Sequence, residues 1–199
     1  MPNHQTSLIR IAMNGFAVAL ITLMFVPIVS LPAVADIELF GGNPLFDAVK
    51  ANDPQRVEAA FAAGEKIEVQ DFDGRRPLIY AALVGNLDIV EILIKRSANV
   101  NHRDKLGNSA LFYAASQGDA EVGDALITAG ANKDSSNGQG ITPLMAAAKL
   151  GHLDVVQLLL TSGANPNLRD YTGRTALEWA DWNRKSTIAR ILRKAGVRE

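Results

Sequence analysis

The chain has 199 residues, 48% of them hydrophobic, with a formal charge of −1 and a pI near 6.3. That length suits one domain with an adequate core, and near-neutrality argues against a globally basic nucleic-acid binder. It contains no Cys, which excludes disulfides, thiolate metal sites and a cysteine nucleophile and fits an oxidising compartment without requiring one.

In chain order, the first 35 residues carry one formal charge, Arg10, and "IAMNGFAVALITLMFVPIVSLPAVA" runs uncharged from Ile11 to Ala35 before Asp36. A basic start, an apolar stretch and the small-residue site Ala33-Val34-Ala35 have the form of a secretory signal peptide. Pro27 and Pro32 interrupt a helix ahead of that site and leave an extended segment for a peptidase. The expectation is a signal peptide over 1–35 with cleavage after Ala35. Its rival is an uncleaved inner-membrane anchor, since 25 uncharged residues can span a bilayer. Without Cys, a lipidated Cys at the cleavage site is impossible, and there is no twin Arg.

Beyond Asp36 the chain repeats. Gly41, Gly74, Gly107, Gly140 and Gly173 lie 33 residues apart, as do Leu45, Leu78, Leu111, Leu144 and Leu177. A further column reads Gly64, Ser97, Gly130, Gly163, Gly196. Three columns at one period mean a stacked array. In the fourth unit Thr142 is placed to cap a first helix, with Pro143 in its first turn. Ala146, Ala147 and Ala148 keep that helix thin, and Gly151 allows a tight turn into a second helix. Leu153, Val156, Leu159 and Leu160 give the second helix its buried face, and Gly163 closes it in the left-handed conformation. An Asp or Asn followed by Gly forms the turn toward the next unit. Ser97 in the left-handed column and Gly123 in the column of Val57, Val90 and Val156 are soft positions. A Gly inside a helix costs about 1 kcal/mol relative to Ala, so the third unit is expected to be the most locally flexible.

Aligned, the units read "DFDGRRPLIYAALVGNLDIVEILIKRSANVNHR", "DKLGNSALFYAASQGDAEVGDALITAGANKDSS" and "NGQGITPLMAAAKLGHLDVVQLLLTSGANPNLR", with divergent units before and after. This resembles the ankyrin repeat, whose pattern is D-x-x-G-x-T-P-L-H-x-A-A-x-x-G-H, an apolar helix, then G-A-x-x-N. The resemblance implies an all-α solenoid of helix-turn-helix pairs joined by β-hairpin loops, over about 38–70, 71–103, 104–136, 137–169 and 170–199. One departure is clear: Ile79, Phe112, Met145 and Glu178 occupy the position of the pattern's first His. An inter-loop hydrogen-bond network is thereby replaced mainly by apolar packing.

Motifs for chemistry fail on spacing. His4, His102 and His152 form no H-x-x-x-H or H-E-x-x-H pair, so no metal or cofactor is expected, and His152 reads as a turn residue. "HRDKLGN" (His102 to Asn108) approaches a kinase catalytic loop, but its Asn is one residue too close and no Gly-rich phosphate loop accompanies it. "DFDG" (Asp71 to Gly74) lacks the further ligands of a calcium loop, and no Ser lies in G-x-S-x-G. No catalytic residues are assigned. An enzyme with an unrecognised site is the competing class, disfavoured because the carboxylates follow the spacing of the repeat.

The resemblance implies instead a concave protein-binding face of hairpin tips and first helices. Carried over position by position, it comprises Phe72, Arg75, Leu83, Arg103, Leu106, Ile141, Lys149, Leu150, Arg169, Tyr171, Arg174 and Trp182, flanked by Asp73, Val84, Lys105, Asn108, Ser116, Gln117, Ser136, Gln139, Thr172 and Asp181. Aromatic and Leu residues beside Arg have the composition of a contact hot spot. The alternative for each apolar member is packing against the adjacent hairpin.

Charge is uneven: residues 36–173 hold 12 Lys/Arg and 18 Asp/Glu, and residues 174–199 hold seven and three. The basic end either steers an acidic partner or an anionic membrane surface, or is a solvated cap. The expected protein is a monomer in the periplasm or secreted, with a protein partner and no nucleic acid. A signal ahead of a single array resembles exported bacterial ankyrin proteins. That resemblance implies a helper in envelope or oxidative-stress physiology, or an inhibitor (immunity) protein for a toxic enzyme; a membrane-tethered scaffold is the third reading.

Overall fold

Ten short helices follow one another in the computed structural model, which describes residues 42–196. The proposed signal segment, its cleavage site and His4 lie outside the described residues. The first helices of successive pairs are α1 (Pro44–Lys50), α3 (Pro77–Val84), α5 (Ala110–Gln117), α7 (Pro143–Leu150) and α9 (Ala176–Trp182). The second helices are α2 (Pro54–Ala62), α4 (Leu87–Lys95), α6 (Ala120–Thr128), α8 (Leu153–Thr161) and α10 (Ser186–Lys194).

Caps explain the boundaries. Asn43, Ser109, Thr142 and Thr175 each accept a backbone N–H of the first turn of their helix, and Asp53, Asn86 and Asp119 do the same for α2, α4 and α6. Each first helix of the middle three pairs ends on a left-handed glycine, Gly85, Gly118 or Gly151, and Gly163 takes the left-handed conformation expected of it, with φ 84°. At the equivalent positions Asn52 and Arg184 take φ values of 56° and 57° without being glycine, and Ser97 takes 64° in its own column. Gly118 cannot be replaced so freely, because a Cβ there would lie 2.4 Å from Nδ1 of His152.

Helices of one kind pack on their own kind. The chain α1–α3–α5–α7–α9 forms one layer, α2–α4–α6–α8–α10 the other, and each pair packs internally. The periodic leucines Leu45, Leu78, Leu111, Leu144 and Leu177 are at most 3% exposed. Full burial of such a side chain is worth roughly 1.5–3 kcal/mol, and the burying surface comes from the neighbouring pairs. In α8 the buried residues are Val155, Val156 and Leu159, with Leu153 and Leu160 half-buried. Val155 therefore joins the expected face, because the unit is enclosed on both flanks. The third unit's soft position also has a packing cause: Gly123 is buried, and a Cβ there would lie 3.2 Å from Leu158 Cδ2.

The loops between pairs are tight hairpin turns. Asp71, Asp104, Asn137 and Asp170 each donate a backbone N–H to the carbonyl four residues on, at 3.0 Å. Their side-chain Oδ1 atoms accept N–H groups two and four residues on. One backbone hydrogen bond per turn is too short a pairing to make strands, so the hairpins appear only as a single bridge, Arg103 to Ser109, among the described residues. Tips are stitched in series: Lys105 N–H to Asp73 O at 2.9 Å, Gly138 N–H to Leu106 O at 2.8 Å, and Tyr171 N–H to Gln139 O at 3.2 Å. Among the described residues no helix is long and apolar enough to cross a membrane.

Candidate protein-binding surface

The turns and the ends of the first helices carry the exposed apolar residues. Phe72 is 98% exposed, Tyr171 78%, Trp182 70% and Leu106 66%, with Val84 and Leu150 also exposed. All six belong to the tip-and-helix set expected from the sequence, and none packs away into the stack. Leu83, Ile141, Arg75 and Lys149 are half-buried, and Asn108 is buried. Ile141 packs against the core, so it contributes an edge to the surface.

The cations of the set divide into two kinds. Arg75 pairs with Asp73 at 2.8 Å. Arg103 donates to the carbonyls of Gly107 and Ser136, at 2.8 and 2.5 Å, and so clamps one hairpin to the next. Arg169 donates to Gly173 O at 2.6 Å and reaches Glu178 at 3.3 Å. These three serve the stack. Lys149 and Arg174 instead lie on aromatic faces. Lys149 Nζ is 4.4 Å from the Trp179 ring centroid, and the Arg174 guanidinium is 5.2 Å from Trp179 and 4.6 Å from Trp182. Trp179 was not among the expected residues. Its spacing of 66 from Tyr113 and three from Trp182 is the signal that could have found it, since positions three apart on a helix are neighbours.

Beneath the surface, polar groups fix the turns. Tyr113 Oη–H donates to Asp104 Oδ2 at 2.6 Å, and Trp179 Nε1–H donates to Asp170 Oδ2 at 2.8 Å, two units on. Burial, then the bond to Asp104, pushes the Tyr113 hydroxyl pKa upward. Burial pushes the Asp170 carboxyl up, but donors from Thr172, Arg174 and Trp179 outweigh it and hold it below its ordinary value. Glu178 is also lowered, first by the Thr175 backbone N–H, against a smaller burial effect, and then by the Thr175 hydroxyl and Arg169. His102 and His152 each place Nε2 on a carbonyl of the preceding unit, Gly74 O at 2.8 Å and Ser116 O at 3.0 Å. No group of three or more His, Asp or Glu positioned to hold a metal occurs among the described residues.

A family model described as ankyrin repeats (3 copies) matches residues 45–137 and 111–198. The chain belongs to the ankyrin-repeat family. Members of the family are generally protein–protein interaction modules, typically without catalytic activity. No curated protein gives a match. Within this ankyrin stack the second-helix layer has one feature that sequence reading missed. A groove of about 510 Å³ lies between α4 and α6, lined by Leu87, Ile94, Ala120 and Ala125 among others. It opens because Ala120 and Ala125 stand where α8 has Leu153 and Leu158.

Proposed function

We propose that this is a five-unit ankyrin stack, exported to the periplasm or secreted, that binds another protein through its hairpin tips and first helices and catalyses nothing. The observation that carries this reading is the alignment of six exposed large apolar residues with the tips and first-helix ends. Exposed aromatic residues beside arginine are favoured contact anchors. Export rests on the A-x-A site ahead of Asp36, and the partner is expected in the cell envelope. A helper role in envelope or oxidative-stress physiology fits such a module, as does inhibition of a toxic enzyme; the partner's identity separates them. A retained N-terminal segment would make the same stack a membrane-tethered scaffold, a reading favoured by the 25 uncharged residues from Ile11 to Ala35.

Affinity capture from the envelope fraction with the wild-type protein and with a Tyr171→Ala/Trp182→Ala variant tests the binding reading. A protein recovered by the wild type and lost with the variant supports it; equal recovery by both, or none by either, overturns it. Mass spectrometry of the purified protein reads the N-terminus. A chain beginning at Asp36 supports cleavage, and a retained 1–35 segment establishes the tethered form.

A further inference from the structure

The geometry points to an acidic segment carrying a large apolar side chain as the partner element that seats on the C-terminal end of this face, across Lys149 and Arg174. This rests on the face being a protein-binding surface. Its basis is a difference between equivalent positions. Arg174 corresponds to Arg75, and Thr172 corresponds to Asp73, each pair 99 residues apart in the repeat. Arg75 is neutralised by Asp73 at 2.8 Å. Arg174 finds a hydroxyl at the same place, donating to Thr172 Oγ1 at 3.2 Å. One residue type, Thr for Asp, leaves the guanidinium without a counter-charge.

The surrounding carboxylates do not supply one. Among the described residues none lies within ion-pair distance of Arg174 or Lys149. Asp170 accepts from Thr172 and Trp179, Glu178 from Thr175 and Arg169, and Asp181 from Arg193 at 2.7 Å. Both free cations are held against indole rings. The ring face attracts the cation without neutralising it and restricts its rotamers, which lowers the entropy lost when an anion docks. Residues 175–196 add five Lys/Arg against two Asp/Glu, so a basic segment would be repelled.

Apolar recognition sits beside the charge. One cleft of about 470 Å³ is lined by Ile141, Lys149, Tyr171 and Trp179 among others, and a second of about 440 Å³ by Arg174, Leu177 and Trp182 together with Glu178 and Asp181, whose carboxylates are engaged by Thr175, Arg169 and Arg193. Such volumes admit individual side chains of a peptide segment.

The test is random-peptide display on the immobilised protein, followed by fluorescence titration of the enriched peptide. The chain has two Trp, Trp179 and Trp182, so indole emission reports this site alone. Enrichment of Asp or Glu beside an aromatic or Leu residue is expected. Affinity should fall with salt, and by about tenfold or more in Arg174→Ala. Thr172→Asp should weaken the peptide similarly by supplying the counter-charge that Asp73 gives Arg75, and the fold tolerates that pairing in the second unit. Enrichment of neutral or basic peptides, no enrichment, or affinity indifferent to both variants overturns the inference. So does Arg174-dependent binding to anionic-lipid vesicles without any peptide selected. If a captured envelope protein is still lost with Tyr171→Ala/Trp182→Ala, only the acidic-segment inference falls and the binding face stands.

Discussion

The second and third units and the fourth and fifth share one backbone pattern but use their polar residues differently. In the former, the charges near the tips have counter-groups within the fold: Arg75 pairs with Asp73, although its buried Nε finds no acceptor, and Asp104 accepts from Tyr113 and from the N–H groups of Leu106 and Asn108. In the latter, Lys149 and Arg174 rest on indoles and remain without carboxylate partners among the described residues. A repeat fold separates the two tasks because stacking needs only the leucine columns, the turn Asp or Asn and the caps. Positions outside those columns are free to answer to a partner.

The sharpest way to break this comparison is at Asp104, which is 7% exposed. Asp104→Ala strands two backbone N–H groups and the Tyr113 hydroxyl, so denaturant unfolding should show a loss of about 2–3 kcal/mol. A loss no larger than that of a surface change would mean the network is dispensable. Acid should act next, on the fifth unit. The Asp170 and Glu178 carboxyls are depressed in the folded chain, so the unfolded chain binds their protons first as pH falls. Their stabilisation is complete above about pH 5 and is lost progressively as pH drops through and below about 4. Melting curves across that window should fall more steeply for the wild type than for Asp170→Asn. Parallel curves would show that the folded chain does not depress the Asp170 carboxyl.

A subtler comparison sets α6 against α8. With Gly123, Ala120 and Ala125 in place of Val156, Leu153 and Leu158, α6 buries less and should exchange its amide hydrogens faster; faster exchange in α8 would reverse the ranking. Smallest of all is Lys95→Ala. Its ion pair with Glu91 at 3.3 Å is largely exposed, and stability should change by less than about 0.5 kcal/mol.

The stack was legible because glycine, leucine and turn columns each answer to a backbone or core requirement repeated at one spacing. Exposure of Phe72, Leu106, Tyr171 and Trp182 was legible for the same reason: once the columns were fixed, these residues fell outside them. What sequence could not reveal was which cations were already neutralised. Arg75, Arg103, Arg169 and Arg174 read alike in one dimension, and only side-chain reach separates them, to a carboxylate, to a neighbouring carbonyl or to an indole. Trp179 was missed because it does two jobs, bonding Asp170 inward and supporting Lys149 outward. The groove between α4 and α6 arises from residues that are small rather than distinctive.

The central claim is that the tip residues serve contact and not stacking. Thermal unfolding of Tyr171→Ala/Trp182→Ala beside the wild type tests it most directly. Side chains 78% and 70% exposed should leave the melting temperature within about 2 °C of the wild type. A fall of about 8 °C or more would place them in the core and contradict the account.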